Sequence, residues 1–176
     1  AHLLVGILNV LITTPLDQGS AHFQPSTLQV STIDIGNPVT NVIPSMARAT
    51  FNIRFNDQHN TKSLTDSLHK SIRKTIGPDR RYDLDLVVSG ESFITPPGPL
   101  SSLLSTAIET ILGVKPELST TGGTSDARFI KDHCEVTEFG MVGQTMHKVN
   151  EQVCVEDLEN LTLIYEAVLK GYFNLT

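Results

Sequence analysis

Residues 3–14, LLVGILNVLITT, are apolar almost throughout and stop at Pro15, which disfavours helix at the residue before it; the stretch predicts a helix. A polar loop at 16–26 follows. In residues 27–36, Leu28, Val30 and Thr32 alternate with Gln29, Ser31 and Ile33, and strand-forming residues dominate. A Gly/Asn/Pro turn at 36–44 leads to residues 45–56. There Ala47, Ala49, Phe51, Ile53 and Phe55 form one apolar face, and Met46, Arg48, Thr50, Asn52 and Arg54 form the other, as in a half-buried strand. Leu64, Leu68, Ile72 and Ile76 recur every four residues over 61–77. This predicts a helix capped by Asp57 or Asn60 and stopped by Gly77 and Pro78. Residues 82–91 alternate again and predict a third strand. The resulting order, α-β-β-α-β, is that of a ferredoxin-like β-α-β-β-α-β unit without its first strand.

Residues 93–101, FITPPGPLS, carry three prolines and a glycine and mark the clearest boundary in the chain. Beyond it the pattern predicts a helix over 100–113, a glycine-containing stretch at 117–133 and a short strand at 135–141. A last helix is predicted over 155–173, with Leu158, Leu161, Ile164, Tyr165, Val168 and Leu169 on one face. Acidic Glu156 and Asp157 suit the positive end of that helix. The fold class is α/β of the α+β kind, and a second half with one clear strand makes a poor complete domain.

Length and composition narrow the function. At 176 residues the chain has room for one ordinary domain or two small ones. A hydrophobic content of 39% and a charged content of 18% are globular values. The net charge of −6 argues against nucleic acid as a partner. The longest apolar run is too short to span a bilayer and holds Asn9, so no membrane role is expected. Cys134 and Cys154 have neither metal-ligand spacing nor a disulfide framework, and a cytoplasmic, reducing location is the default expectation. The two Asn-Leu-Thr sequons, at Asn160 and Asn174, read as chance matches. The chain has no initiator methionine and opens inside an element, so it reads as a fragment.

Three places could carry chemistry. In TTGGTSDARF, residues 120–129, Gly122 and Gly123 allow close backbone approach, and Thr124, Ser125 or Asp126 begins a helix over SDARFIKD. Such a turn suits an anionic group, or is simply a tight turn with an N-cap. His147, in GQTMHKVNEQV, follows a strand-like run, a common place for a functional loop, but no second histidine lies at ligand spacing. Its other reading is a solvent-facing histidine, with Glu151 as an orienting carboxylate or a solvated one; His133 and Glu138 do not obviously converge on it. Arg54, on the polar strand face with Arg48, could recognise a carboxylate bidentately or be an exposed strand arginine. Asn41, in the TNVIP turn, has the simple alternative reading of satisfying backbone groups there. His2 and His22 signify nothing in isolation.

The stretches TTGGTSDARFI, EFGMVGQTMHKVNEQV and IDIGNPVTNVIPSMARATFNIRFND together resemble the M20 family of dinuclear-zinc aminoacylases and carboxypeptidases. The likeness runs from about Pro15 to the end, and GGTSDARF together with MHKVNE points to members that remove a succinyl group from an N-succinyl amino acid. The resemblance implies a split α/β catalytic domain that binds two Zn2+ (or Co2+) ions, with a ferredoxin-like domain inserted into it that forms a homodimer. Residues 1–94 then match the dimerisation domain without its first strand, and residues 95–176 match the C-terminal segment of the catalytic domain. By the same resemblance His147 matches a metal ligand, and Gly122, Gly123 and Thr124 match the turn that contacts substrate at the scissile amide. Arg54 and Asn41 match residues that bind the substrate carboxylate. His2 matches a histidine that reaches across the dimer to the developing oxyanion, although the family's short loop after this His-Leu is missing here. The family's remaining metal ligands and its catalytic glutamate pair have no match in the chain, so the fragment by itself is expected to be inactive and to bind zinc weakly at best. The alternatives are another M20 deacylase, such as an acetylornithine deacetylase or aminoacylase, and a non-catalytic dimerisation module.

Overall fold

The computed structural model describes residues 1–121 and 125–175. They divide into two compact units, Ala1–Phe93 and Ile94–Thr176.

In the first unit, helix α1 (His2–Thr13) is followed by strands β1 (Thr27–Asp34) and β2 (Arg48–Arg54) and helix α2 (Thr61–Ile76). Leu8 and Leu11 of α1 and Leu64, Leu68 and Ile72 of α2 are buried where the two helices pack, and α1 also rests on β1. The apolar spacing read from the sequence therefore marks the contact surface of α2. Asn60 caps this helix: its side chain accepts from the Ser63 N–H at 2.8 Å, while Ser63 Oγ accepts from the Asn60 N–H at 3.0 Å. Gly77 ends it at φ 86°, a conformation that favours glycine.

β1 and β2 pair antiparallel, from Thr27 opposite Arg54 to Asp34 opposite Arg48. Val30 faces Phe51 but Thr32 faces Thr50, so Ser31 is an extra residue, a bulge whose hydroxyl donates to the Thr50 carbonyl at 3.2 Å. The bulge reverses the alternation of β1. Ile33, grouped by sequence with Gln29 and Ser31, comes to stand opposite Ala49, on the face shared by Leu28, Val30, Phe51 and Ile53.

The strand expected over residues 82–91 is not formed, which corrects the α-β-β-α-β reading to α-β-β-α. Alternation makes a segment fit to be a strand, but a strand also needs a ladder partner, and this segment is held along α2 instead. Near the last turn of α2, Tyr82 Oη lies 2.6 Å from His69 Nδ1 and the Arg73 guanidinium sits 4.6 Å over the Tyr82 ring. Arg73 also donates to the carbonyls of Pro78 at 2.9 Å and Arg80 at 2.7 Å. At the other end of the segment, the Glu91 carboxylate accepts the Thr61 N–H at 3.0 Å, at the positive end of the helix. Between these anchors Val87 is 99% exposed.

The second unit is built on helices α3 (Pro99–Leu112) and α5 (Val155–Phe173), with one short turn of helix, α4 (Ala127–Ile130), between them. Leu104, Ala107 and Ile108 of α3 pack on Ile164 of α5, and Ile111, Phe139, Ala167 and Val168 close around them. Pro99 opens α3 at the first helical position, and Gly113 at φ 67° ends it. Glu156 and Asp157 occupy the first turn of α5. The strand expected at residues 135–141 is also absent: Phe139 lies against the helices, its carbonyl accepting from Tyr165 Oη at 2.5 Å, and no strand of the described residues lies beside it. The helix expected over SDARFIKD is reduced to α4. A mixed helix and strand chain with one two-stranded sheet is what the described residues show.

Candidate functional site

His147 sits in a turn pinned at its base. Thr145 Oγ1 accepts the Gln152 N–H at 2.9 Å and donates to the Gln152 carbonyl at 2.8 Å, closing the loop on itself. Inside it, the Lys148 N–H donates to the Thr145 carbonyl at 3.0 Å and Lys148 Nζ donates to the Gln144 carbonyl at 2.9 Å. These bonds hold His147 at φ 62° and Asn150 at φ 61°, in the left-handed region. Histidine is one of the side chains found there more often than most, and such a residue is a reason to ask about function. The imidazole is exposed, and no hydrogen bond among the described residues joins it to Glu151. Replacing His147 by glycine is expected to leave the fold about 1 kcal/mol more stable than replacing it by alanine, because only the alanine variant retains a Cβ in the left-handed conformation. Equilibrium unfolding in urea measures the difference.

Among the described residues, no three His, Cys, Asp or Glu side chains converge as a metal centre would require. His147 taken alone does not fit a dinuclear site, since zinc sites draw on three or four protein ligands. Gly122, Gly123 and Thr124 lie outside the described residues. Beside them, Ser125 Oγ accepts the Ala127 N–H at 3.1 Å at the start of α4.

In the first unit, Arg54 is the last residue of β2 and is exposed, as its place on the polar face requires. Asn41 lies exposed in the connection between Asp34 and Arg48, at the opposite end of the hairpin. One strand length, roughly 20 Å for seven residues, separates that end from Arg54. His2 opens α1 and is exposed. The hairpin thus carries Arg54 at the end of β2 and Asn41 in the connection that joins its strands.

The sequence reading missed the densest polar network among the described residues. The loop at 16–26 folds around the Asp17 carboxylate, which accepts from the Gly19 N–H at 2.7 Å, the Ser26 N–H at 3.1 Å and Asn56 Nδ2 at 2.7 Å. Asn56 is only 3% exposed. Its Nδ2 also donates to the Gln24 carbonyl at 3.0 Å, and its Oδ1 accepts the Gln58 N–H at 3.0 Å. His59 Nε2 lies 3.2 Å from Asp17 Oδ2 without the alignment of a hydrogen bond. Burial alone would raise the Asp17 carboxyl, but the bonds from Ser26, Gly19 and Asn56 outweigh it and hold the group at about 2, below its usual 3.8. The signal in the sequence was Asp17 two residues before Gly19, the spacing of a side-chain-closed turn.

An open cleft of about 390 Å³ in the second unit is lined by Leu104, Phe139, Tyr165 and Val168 among others, and none of His2, Asn41, Arg54 and His147 lines it.

The peptidase family M20/M25/M40 matches residues 6–171, nearly the whole chain. The chain belongs to this family. Among curated proteins, it is 52% identical over 173 residues to a succinyl-diaminopimelate desuccinylase of Rhodospirillum rubrum, covering 98% of the chain and 44% of that protein. It is 52% identical over 170 residues to the protein of the same name from Rhodospirillum centenum, covering 97% of the chain and 43% of that protein. Succinyl-diaminopimelate desuccinylase 1 of Ruegeria sp. is 53% identical over 172 residues, with 97% of the chain and 45% of that protein covered. The chain therefore spans a little under half the length of these M20/M25/M40 relatives. No helix of the described residues is long and apolar enough to cross a membrane.

Proposed function

We propose that the chain is part of an M20 amidohydrolase that converts N-succinyl-L,L-2,6-diaminopimelate and water to succinate and L,L-diaminopimelate, a step toward lysine and peptidoglycan precursors. The observation that carries this reading is identity of about half over nearly the whole chain to proteins named for that substrate. The reaction splits an amide flanked by carboxylates. In this reading Arg54 binds the substrate carboxylate, Asn41 in the β1–β2 connection is a second contact at the carboxylate end of the substrate, and Gly122, Gly123 and Thr124 contact the substrate beside the scissile bond. His2 approaches the oxyanion from a second subunit.

His147 is proposed as one ligand of a centre of two Zn2+ or Co2+ ions. Its exposed place at the tip of a pinned loop supports that role, because a ligand must be held while remaining open to partners from elsewhere. Among the described residues no three His, Cys, Asp or Glu side chains come together to supply the rest of such a set. We place the active protein in the cytoplasm as a homodimer in which residues 1–94 form the dimerisation domain and residues 95–176 complete the catalytic domain. In support of the dimer, β1 and β2 form a two-stranded sheet with an open edge on each side.

Two assays test this reading. The 176-residue chain with added Zn2+ or Co2+ is expected to release no succinate above background and to hold zinc no more tightly than isolated histidine-bearing peptides. Full-length protein carrying this chain is expected to hydrolyse N-succinyl-L,L-diaminopimelate in preference to N-acetylornithine, and His147→Ala is expected to reduce kcat at least a hundredfold. Preference for the acetyl substrate would replace the desuccinylase reading with that of another M20 deacylase. Hydrolysis by the chain alone would show that its own residues suffice for catalysis.

A further inference from the structure

The backbone ladder of the hairpin ends at the pair Thr27–Arg54. Strand ends fray unless the next N–H and C=O groups find partners, and here side chains supply them. Two residues beyond Arg54, the Asn56 N–H donates to Ser26 Oγ at 3.1 Å, and Asn56 Nδ2 reaches the Gln24 carbonyl at 3.0 Å. On the opposite strand, one residue before Thr27, the Ser26 N–H donates to both Asp17 oxygens, at 3.1 and 3.2 Å. The same carboxylate accepts from Asn56 Nδ2 at 2.7 Å. Gln58 extends the tie, its side-chain amide donating to the Gly19 carbonyl. One buried carboxylate from the α1–β1 connection thus bonds to Ser26, adjacent to Thr27, and to Asn56, two residues beyond Arg54. A satisfied polar network of this kind specifies one arrangement where an apolar contact would tolerate several.

We propose that Asp17 and Asn56 are positioning residues for Arg54: they fix the end of β2 so that its guanidinium is presented at one place to a carboxylate ligand. The proposal rests on the reading of Arg54 as a carboxylate-binding residue. Bidentate recognition tolerates little displacement, since misplacing a positioned group by 1 Å costs about a hundredfold in demanding cases. Arg48, at the other end of the same strand face, stands directly opposite Asp34, and among the described residues no such clamp lies beside it. The network therefore distinguishes two arginines that the sequence pattern leaves equivalent.

The test uses the 176-residue chain, with succinate as probe, in NMR spectra that resolve the Arg54 amide and its Nε–Hε group. In the wild type, succinate is expected to shift the Arg54 Nε–Hε signal saturably. Asp17→Asn and Asn56→Ala are expected to raise amide exchange at residues 54–56 about tenfold and to weaken succinate about tenfold, while the amides of residues 49–52 keep their protection. If either variant fails to fold, Ser26→Ala, which removes the acceptor for the Asn56 N–H, is read in the same way. Wild-type exchange at residues 54–56 in these variants overturns the proposal. So does loss of protection spread evenly over the hairpin, which would make the network a general support. Arg54→Ala separates the two claims. If succinate shifts nothing in the wild type, or shifts other signals equally in Arg54→Ala, the carboxylate reading of Arg54 fails. The exchange pattern at residues 54–56 still decides whether Asp17 and Asn56 hold that strand end.

Discussion

Ile164→Ala is expected to destabilise the second unit by about 4 kcal/mol. Ile164 is the most deeply buried side chain described, 1% exposed, and it is the only α5 member of the fully buried cluster with Leu104, Ala107 and Ile108. Removing three carbons there loses their transfer free energy and leaves a hole that two packed helices can only partly close. The value expected is therefore toward the upper part of the range for such truncations, about 2–5 kcal/mol. Leu163, the preceding residue, is 50% exposed, and its alanine variant is expected to fall within about 0.5 kcal/mol of wild type. Urea unfolding, with amide exchange in α3 and α5 as the local readout, distinguishes the two. Equal effects at both positions would mean that the buried contact surface of α5 lies elsewhere.

Asp17→Ala is expected to destabilise the first unit by about 3 kcal/mol, because it leaves the buried Asn56 Nδ2 and the Ser26 N–H without their carboxylate acceptor. The same carboxylate makes stability depend on acidity. Its folded-state value of about 2 lies below the usual 3.8, so the folded state binds the proton less readily than the unfolded one. The contribution is fully present above about pH 4, falls as acid is added, and is lost below about pH 2. Allowing for solvent screening near the surface, it amounts to roughly 1–2 kcal/mol. Unfolding midpoints measured between pH 6 and pH 2 should therefore fall less steeply in Asp17→Ala than in wild type. Parallel curves would show that the carboxylate is not held ionised by the network. His59, whose Nε2 stands 3.2 Å from the carboxylate, is the titratable side chain paired with it.

The long elements were legible because each carries its own pattern. The four-residue recurrence of Leu64, Leu68 and Ile72, with Asn60 before it and Gly77 after it, marks α2 by local chemistry alone, and all three apolar side chains are buried as that spacing requires. The apolar face of residues 45–56 likewise gave β2 and put Arg54 on the exposed side. Residues 82–91 and 135–141 misled because alternation states only that a segment is able to form a strand. Whether it does depends on finding a partner with free backbone groups, and here Arg73 and His69 hold one segment while Tyr165 and the α3–α5 core hold the other.

The candidate site divides along the same line. Family membership and the candidates His147, Arg54 and Asn41 came from sequence, because those residue types in those motifs are specific. Tertiary structure decided that His147 stands at φ 62° on a loop closed by Thr145 and Gln152, that Asn41 and Arg54 occupy opposite ends of one hairpin, and that Asp17 joins residues far apart in the chain. The sequence by itself determined the four long helices, the two strands, the apolar faces of α2 and β2 and the family, all of which depend on short-range periodicity or on matched motifs. The bulge at Ser31, the missing strands and the Asp17 network were decided only by the folded chain. Each turns on which backbone or carboxylate partner lies across space, and no local pattern encodes that.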